Sequence, residues 1–415
     1  MPSHLPPPLV RRVTSARLVG AAAIALVLVV GLSVLLPDGD PGRDSDGRIA
    51  PVTEQYVATT GVPAAGRITP EARAEIERVL AASPERSVAR ASATTRASEL
   101  VRCAEFEEQQ YCLGRGWTDA PAPEVRSEAV AARSAQTVTT ETTGDLSDAD
   151  LLAQRATMAL AEREAAERAE LEAAARSVSK VVLLRHQLLG EPLPDGFLER
   201  HPEARATATE PAVVQRTSAS RPKPMGAYPR RSTVLKPRRT ESQVRTYWCG
   251  PATMQMIAWG WQGEKRRQRH WARRLGTTTS GSGISEMVRV VNDATGYDRP
   301  AYAGDYIVLD ISRWSFEQWM LLQMRHVHDY RAPLVLHPVL LKRFYPYLDD
   351  DASGHFQVGR GYDKNGKRPG DVGYFEPWNQ QRFDPSEPFI ARVQWRRAYK
   401  SYRANQAHPQ QNIGV

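Results

Sequence analysis

The sequence predicts an α+β fold for the C-terminal part of the chain, and two observations support this prediction. Apolar patterns typical of helices come before patterns typical of strands, without the alternation of helix and strand that a parallel sheet requires. Eight of the nine tryptophans lie after residue 240, so the large side chains of a packed core are concentrated there. With 415 residues, 41% of them hydrophobic, the chain is long enough for two or three domains.

The first element is an apolar segment near the N-terminus. Residues 18–36 form a 19-residue uncharged run that follows the basic stretch 1–17. At about 1.5 Å per residue, this length suffices to cross the hydrocarbon core of a bilayer. A cleaved signal peptide has a shorter apolar core and a small-x-small exit, which the sequence VLLPDGDPG lacks. We therefore expect an uncleaved single-pass anchor in the cell membrane, with residues 1–17 in the cytoplasm and the remaining chain extracellular; cleavage and secretion is the alternative.

A stalk and a mostly helical spacer are predicted to follow the anchor. The stalk, 37–66, is rich in Pro, Gly and Asp, which disfavour regular structure. In the spacer, 67–200, one helix is expected to begin with Thr69 as its N-cap and Pro70 at its first position. Residues 147–189 are dominated by Ala, Glu, Arg and Leu, which predicts one long helix. No chemistry is visible in the spacer, and both an inhibitory and a purely spacing role stay open.

Residues 201–239 are predicted to form a Pro-rich basic linker, which accounts for the net charge of +8. No acidic residue lies between positions 211 and 240, and removing the eight basic residues found there leaves 47 Lys and Arg against 47 Asp and Glu. Because no recognition helix or RNA-binding motif accompanies this excess, we expect no nucleic-acid partner and interpret the segment as a solvated tether. Contact with anionic lipid or cell-wall polymer is the alternative. The eight residues are Arg216, Arg221, Lys223, Arg230, Arg231, Lys236, Arg238 and Arg239.

The three cysteines are informative in a chain expected to be exported. Cys103 and Cys112 lie nine residues apart and can close a short disulfide loop, as thiols outside the cytoplasm tend to do. Cys249 is then left over. A leftover cysteine forms an intermolecular bridge, is a thiol kept for its chemistry, or is a small buried residue without reactivity.

A compact domain is expected over residues 240–405, with a tail over 406–415. Its predicted helices are 250–261, 284–294 and 316–328, and its predicted strands are 333–341, 356–362 and 372–375.

The candidate nucleophile of this domain is Cys249, in the sequence QVRTYWCGPATMQMIAWGW. Gly250 and Pro251 suit the start of a helix, so the thiol is expected at the positive end of a helix dipole, where its pKa would be lowered. A histidine must supply the rest of the activation. Among nine histidines, His355 is the best placed, because it opens the strand-like stretch HFQVGRGYD, a rigid support for an imidazole.

Two further groups complete the candidate site. Glu376 lies 21 residues after His355, a spacing that fits a strand, a turn and an antiparallel return, so its carboxylate can orient the imidazole. Asp371 and Asn379 are the alternatives for this role. Gln243 lies six residues before the cysteine, close enough for its amide to stabilise an oxyanion together with the cysteine backbone N–H.

These motifs, taken in order, resemble the papain-like cysteine peptidases of family thirty-nine, which include the bacteriocin-processing or double-glycine peptidases and their stand-alone relatives. The resemblance covers roughly residues 236–395. It implies a papain-like fold of helices packed on an antiparallel sheet, a peptide or protein substrate, and no metal or organic cofactor. It also implies that Cys249 is the nucleophile, His355 the base, Glu376 its orienting acid, and Gln243 an oxyanion ligand.

Two departures from the family pattern affect this interpretation. The acid position is usually Asp or Asn, and Glu376 adds a methylene. The exporter members carry ATP-binding regions, but this sequence has no Gly-Lys-Ser/Thr phosphate loop, so a bacteriocin exporter is excluded. Two alternatives to a peptidase remain: a cell-wall peptide hydrolase or transpeptidase, and a catalytically inactive papain-like binding domain at the cell surface.

Overall fold

The computed structural model describes most of the chain after residue 64. The predicted anchor, 18–36, and nearly all of the predicted stalk lie outside the described residues. Within the described part of the chain, no helix is both long and apolar enough to span a bilayer. The described ranges are 65–85, 87–134, 142–204, 223–364, 370–378, 380–383, 385 and 389–415.

The described residues contain helices throughout and strands in two groups. The helices are α1 (Pro70–Ala81), α2 (Ala93–Leu100), α3 (Ala122–Ser134), α4 (Asp148–Thr157), α5 (Leu160–Leu189), α6 (Phe197–Arg200), α7 (Cys249–Gln262), α8 (Gln268–Leu275), α9 (Ile284–Ala294), α10 (Phe316–Met324), α11 (Gln380–Phe383) and α12 (Ala398–Gln406). The strands are β1 (Cys103–Phe106), β2 (Gln109–Cys112), β3 (Gly116–Thr118), β4 (Arg231–Thr233), β5 (Val308–Asp310), β6 (Leu334–Leu336), β7 (Gln357–Asp363), β8 (Asp371–Phe375), β9 (Val393–Arg397) and β10 (Asn412–Gly414).

Several helix boundaries follow from local side-chain chemistry. Thr69 caps α1 by accepting the N–H of Ala72 at 3.1 Å, and a proline occupies the first position of that helix. A reciprocal capping box between Ser315 and Gln318 begins α10. Helix α7 ends at Gly263, whose φ of +78° lies in the left-handed region that glycine adopts without steric cost.

The strands form one mixed sheet in the order β1-β2-β3-β5-β10-β6-β7-β8-β9. Strand β6 pairs with the first half of β7, and β4 pairs with its second half. All strand pairs are antiparallel except β3 with β5, where Trp117 lies opposite Leu309. An antiparallel-rich sheet combined with helices confirms the α+β prediction.

The structure differs from the predicted division into spacer and compact domain. Strands β1 to β3 come from the predicted spacer, yet they extend the same sheet, and one hydrophobic core runs from Ile76 to Val415. Helix α5 also contacts the predicted compact domain and tail through Lys180. Its Nζ donates hydrogen bonds to the backbone oxygens of Asp305 and Val415. The physical reason is burial, because the apolar faces of the spacer elements are covered by the later strands.

The predicted linker and tail also contribute to the sheet. Strand β4 lies within 201–239 and pairs with β7 through Ser232 and Tyr362. Strand β10 lies within 406–415 and runs between β5 and β6, where Ile413 is fully buried. Local composition concealed both strands, because each has only three residues and is paired with strands that are distant in the sequence.

The long helix predicted over 147–189 is divided in two. The chain leaves helical geometry at Met158 and Ala159, although neither glycine nor proline is present there. Helix α4 packs Leu152 into a small cluster with α2 and α3, whereas α5 packs Leu171 into the main core. The two helices therefore serve different apolar clusters, and one straight helix could not reach both.

Candidate active site

The four predicted site residues lie near one end of strands β7 and β8. Cys249 is the first residue of α7, and Gln243 lies in the loop that precedes this helix. His355 comes just before β7 and Glu376 just after β8. All four residues are 0% exposed.

The structure brings His355 and Glu376 into direct contact. Strands β7 and β8 are antiparallel neighbours in which Val358 pairs with Phe375. The residues that precede one strand and follow the other therefore meet at the same sheet end. His355 Nε2 and Glu376 Oε1 are 2.7 Å apart, so the imidazole donates its Nε2–H to the carboxylate.

Four hydrogen bonds, two to each oxygen, fix the position of the Glu376 carboxylate. Oε1 also accepts the backbone N–H of Trp378 at 2.9 Å, while Oε2 accepts the Tyr347 hydroxyl at 2.7 Å and the Gln357 amide at 2.6 Å. Burial alone would raise the pKa of Glu376, but the charge of His355 and these hydrogen bonds lower it below its ordinary value. The additional methylene of a glutamate therefore does not prevent contact with the imidazole.

The two alternatives for the orienting acid have different outcomes. Asp371 lies at the opposite end of β8, where it pairs with Asp363 and Arg397, and it is separated from His355 by the length of the strand. Asn379 lies outside the described residues.

The second ring nitrogen of His355 is left available for proton exchange. Nδ1 is buried and has no hydrogen-bond partner within the described ranges. Because Glu376 engages Nε2–H, the neutral imidazole presents an unprotonated Nδ1. This is the protonation pattern that a general base requires.

Helix α7 and strand β7 hold the cysteine close to this histidine. Thr253 lies one turn after Cys249 on the same helix face and donates through Oγ1 to the carbonyl of Phe356 at 3.1 Å. The backbone N–H groups of Phe356 and Gly250 both favour the thiolate form of Cys249. The cysteine thus lies against the residue that directly follows His355.

The predicted acidity of the thiol is wrong for the structure as it stands. The pKa of Cys249 is raised well above its ordinary value, first by burial and second by the negative charge of Asp145. The backbone N–H groups of Phe356 and Gly250 lower this pKa, but they do not outweigh burial. The sequence-based argument considered the helix dipole and a histidine, but not the burial of the thiol or the charge of Asp145.

Gln243 and the Cys249 amide converge on one oxygen atom, as predicted for an oxyanion site. The backbone N–H of Cys249 and Nε2 of Gln243 each donate to the carbonyl oxygen of Thr143, both at 3.2 Å. Gln243 Nε2 is also held by the carbonyls of Arg245 at 3.0 Å and Thr246 at 2.7 Å. Two fixed donors aimed at one carbonyl oxygen are the geometry that stabilises a tetrahedral intermediate.

Comparison with known proteins identifies the region that carries this geometry. Residues 236–404 match the model of the Peptidase_C39 like family. This stretch is similar to the Peptidase_C39 like family and is here called the Peptidase_C39 like domain. The match covers less than half of the chain and confirms the resemblance drawn from the motifs around Cys249, His355 and Glu376. No curated protein and no solved structure matches the chain.

Three buried polar residues beside the site were not found from the sequence, and two of them lie outside the Peptidase_C39 like domain. The carboxylate of Asp145 accepts from His337 Nε2 at 2.7 Å and from His408 Nε2 at 2.9 Å. The ring of His337 stacks on that of Phe356, next to the candidate base. His337 interrupts the apolar run LVLHPVL, a detectable signal, whereas nothing local distinguishes Asp145 or His408.

The same three residues are the described group most able to hold a metal ion, since one ligand atom from each lies within 4.8 Å of the others. The hydrogen bonds of His408, however, do not fit a metal ligand. Its Nδ1 accepts the N–H of Gln410 at 3.1 Å, so the proton is on Nε2, the nitrogen that faces Asp145. A protonated nitrogen is a hydrogen-bond donor and not a metal ligand. The arrangement therefore favours binding of a carboxylate by two imidazoles.

Electrostatics agree with this assignment. Burial would raise the pKa of Asp145, but the charge of His337 and the hydrogen bonds from both imidazoles lower it well below its ordinary value. The pKa of His408 is lowered by burial and by the neighbouring His337, which keeps its imidazole neutral. His337 also donates through Nδ1 to Asn412 at 2.7 Å, so both of its ring nitrogens face acceptors. The pair thus places two ring nitrogens around a single carboxylate.

Proposed function

We propose that the Peptidase_C39 like domain is a cysteine peptidase that uses Cys249, His355, Glu376 and Gln243. The observation that carries this proposal is the contact between His355 Nε2 and Glu376. It leaves Nδ1 without a hydrogen-bond partner among the described residues, and the backbone N–H of the following residue, Phe356, contacts the thiol. A papain-like arrangement of nucleophile, base and orienting acid accounts for these contacts.

The proposed reaction begins when His355 Nδ1 takes the proton of the Cys249 thiol. The thiolate then attacks the carbonyl carbon of a peptide bond, and the negative charge that forms on oxygen is stabilised by the Cys249 N–H and Gln243 Nε2. The imidazolium, oriented by Glu376, gives its proton to the leaving amine as the C–N bond breaks. Water, deprotonated by the same imidazole, hydrolyses the thioester and restores the thiol.

Incubation with unfolded protein, followed by mass spectrometry of new peptide termini, tests this proposal. We expect slow cleavage by the wild-type chain, in which Cys249 is buried, and none by Cys249→Ala or His355→Ala, while Asp371→Asn should cleave as the wild type does. Purified cell-wall material in a parallel incubation separates a general peptidase from a wall peptide hydrolase or transpeptidase. Equal cleavage by the wild type and Cys249→Ala would contradict the proposal.

We also propose that this domain works on the outer side of a membrane, held there by residues 18–36. The disulfide between Cys103 and Cys112 supports an oxidising compartment, because such bonds persist outside the cytoplasm. Lys223 pairs with Asp329, so at least part of the basic linker is engaged with the fold rather than with lipid or wall polymer. Fractionation in alkaline carbonate, followed by external protease digestion of intact cells, tests the location. Recovery of full-length chain in the soluble fraction would contradict an anchor.

One observation favours a second candidate, a catalytically inactive binding domain. The thiol of Cys249 is fully buried and its pKa is raised, so in this state it is a poor nucleophile. A protein in which no condition or variant exposes the thiol would fit this candidate. The rate at which an alkylating reagent labels Cys249 therefore also decides between the two functions.

A further inference from the structure

The segment Thr143–Leu146 lies across the candidate active site like a bound peptide. Its first carbonyl, that of Thr143, occupies the position between the Cys249 N–H and Gln243 Nε2. In the proposed mechanism these two donors hold the oxygen of the peptide bond under attack. The chain therefore presents one of its own carbonyls at the place intended for a substrate.

Hydrogen bonds on both sides hold the segment in place. On one side the Ser282 N–H donates to the Gly144 carbonyl and the Leu146 N–H donates to the Ser282 carbonyl, both at 2.9 Å. On the other side the Thr143 N–H donates to Ser353 Oγ at 3.0 Å, and Thr143 Oγ1 donates to the carbonyl of Gly354. Hydrogen bonds to the backbone of a bound chain are a common way in which a cleft holds a peptide.

The centre of the segment fits only a residue without a side chain. Gly144 has a φ of +103°, in the region that favours glycine, and a Cβ placed on it would overlap the backbone of Tyr247. The cleft is therefore narrow directly after the carbonyl that the two donors hold. A peptide in this place needs glycine at the corresponding position.

Asp145, the residue after Gly144, makes charged contacts with two histidines. The side chain of Asp145 is 4% exposed and its two carboxylate oxygens are held by His337 and His408. Charge-assisted hydrogen bonds of this kind are about twice as strong as neutral ones. The two histidines thus form a binding site for an acidic side chain two residues after the held carbonyl.

We propose that Thr143–Leu146 is an intramolecular ligand that blocks the candidate active site, and that His337 and His408 form the subsite that recognises an acidic side chain in substrates. This inference rests on the proposed function. The expected substrates are peptides with glycine and then Asp or Glu directly after the bond that is cleaved. Release of the segment both admits water to Cys249 and removes the charge of Asp145, the two largest causes that raise the thiol pKa.

The rate at which iodoacetamide alkylates Cys249 measures occupancy of the cleft, because this is the one free cysteine in a chain with three. We expect slow labelling of the full-length wild type and labelling about 10- to 100-fold faster for Asp145→Ala and Gly144→Ala. The exposed neighbour Thr142 offers a matched control, and Thr142→Ala should label as the wild type does. Melting temperatures confirm that the variants are folded.

A competing peptide tests the subsite directly. The acetylated peptide Thr-Thr-Gly-Asp-Leu-Ser, which repeats residues 142–147, should slow the labelling of Asp145→Ala. The same peptide with Asn in place of Asp should slow it about tenfold less effectively, since it lacks the charge that the imidazoles bind.

The outcomes distinguish this inference from the proposed function. Fast labelling of Asp145→Ala without any peptide hydrolysis would support the blocking segment and contradict the peptidase. Labelling of both folded variants at the wild-type rate would overturn the blocking segment and leave the peptidase untouched. Unfolding of both variants would also overturn it, because the segment would then be part of the folding core and not a displaceable ligand.

Discussion

Replacing the buried acid Glu376 tests the site through stability, independently of any substrate. In Glu376→Gln the amide oxygen can still accept from His355 and Trp378, while the Tyr347 hydroxyl and the Gln357 amide can turn to accept from the new NH₂ group. The variant therefore loses charge but keeps its partners, and we expect a loss of about 1.5–3 kcal/mol in the free energy of unfolding. Glu376→Ala leaves four buried donors without an acceptor, which we expect to cost at least about 4 kcal/mol.

Urea unfolding followed by tryptophan fluorescence measures both values, and pH gives a second test of the same carboxylate. The pKa of Glu376 is lower in the folded chain than its ordinary value of 4.5, so the unfolded state binds the proton more readily. Its contribution to stability is therefore fully present above about pH 4.5 and is lost as the pH falls through the lower folded-state pKa. The difference between the wild type and Glu376→Gln should shrink accordingly. A difference that stays constant down to pH 3, or an alanine variant as stable as the glutamine variant, would refute this reasoning.

Three further predictions concern the framework around the site. Thr253→Val removes the buried hydrogen bond between α7 and β7 and should cost about 1–3 kcal/mol in urea unfolding, whereas Thr253→Ser should recover most of it. The double change Cys103→Ala and Cys112→Ala opens a loop with a sequence separation of 9 and should lower stability by about 2–3 kcal/mol, with no further effect of reductant. Trp117→Ala empties a fully buried position where β3 meets β5 and should cost about 3–5 kcal/mol in a single transition; two separate transitions would contradict a shared core.

Much of the local structure could be predicted because the relevant signals lie close together in sequence. The start of α1 follows from Thr69 and Pro70, and α9 spans the same residues as its apolar period predicts. The contact between His355 and Glu376 was also foreseeable, because a spacing of 21 residues fits an antiparallel pair whose outer ends meet. In each case a cap, a period or a hairpin length carries the information.

The sequence by itself thus predicted several helix starts, the α+β class and Glu376 as the first candidate partner of His355, with Asp371 and Asn379 as alternatives. Only the tertiary structure decided what covers the thiol. Asp145 and His408 are in contact although they are 263 positions apart in the sequence. The short strand β10 forms between β5 and β6, to which it is hydrogen-bonded. Such contacts arise from the closure of one core over distant segments, and no periodicity or cap near either residue encodes them.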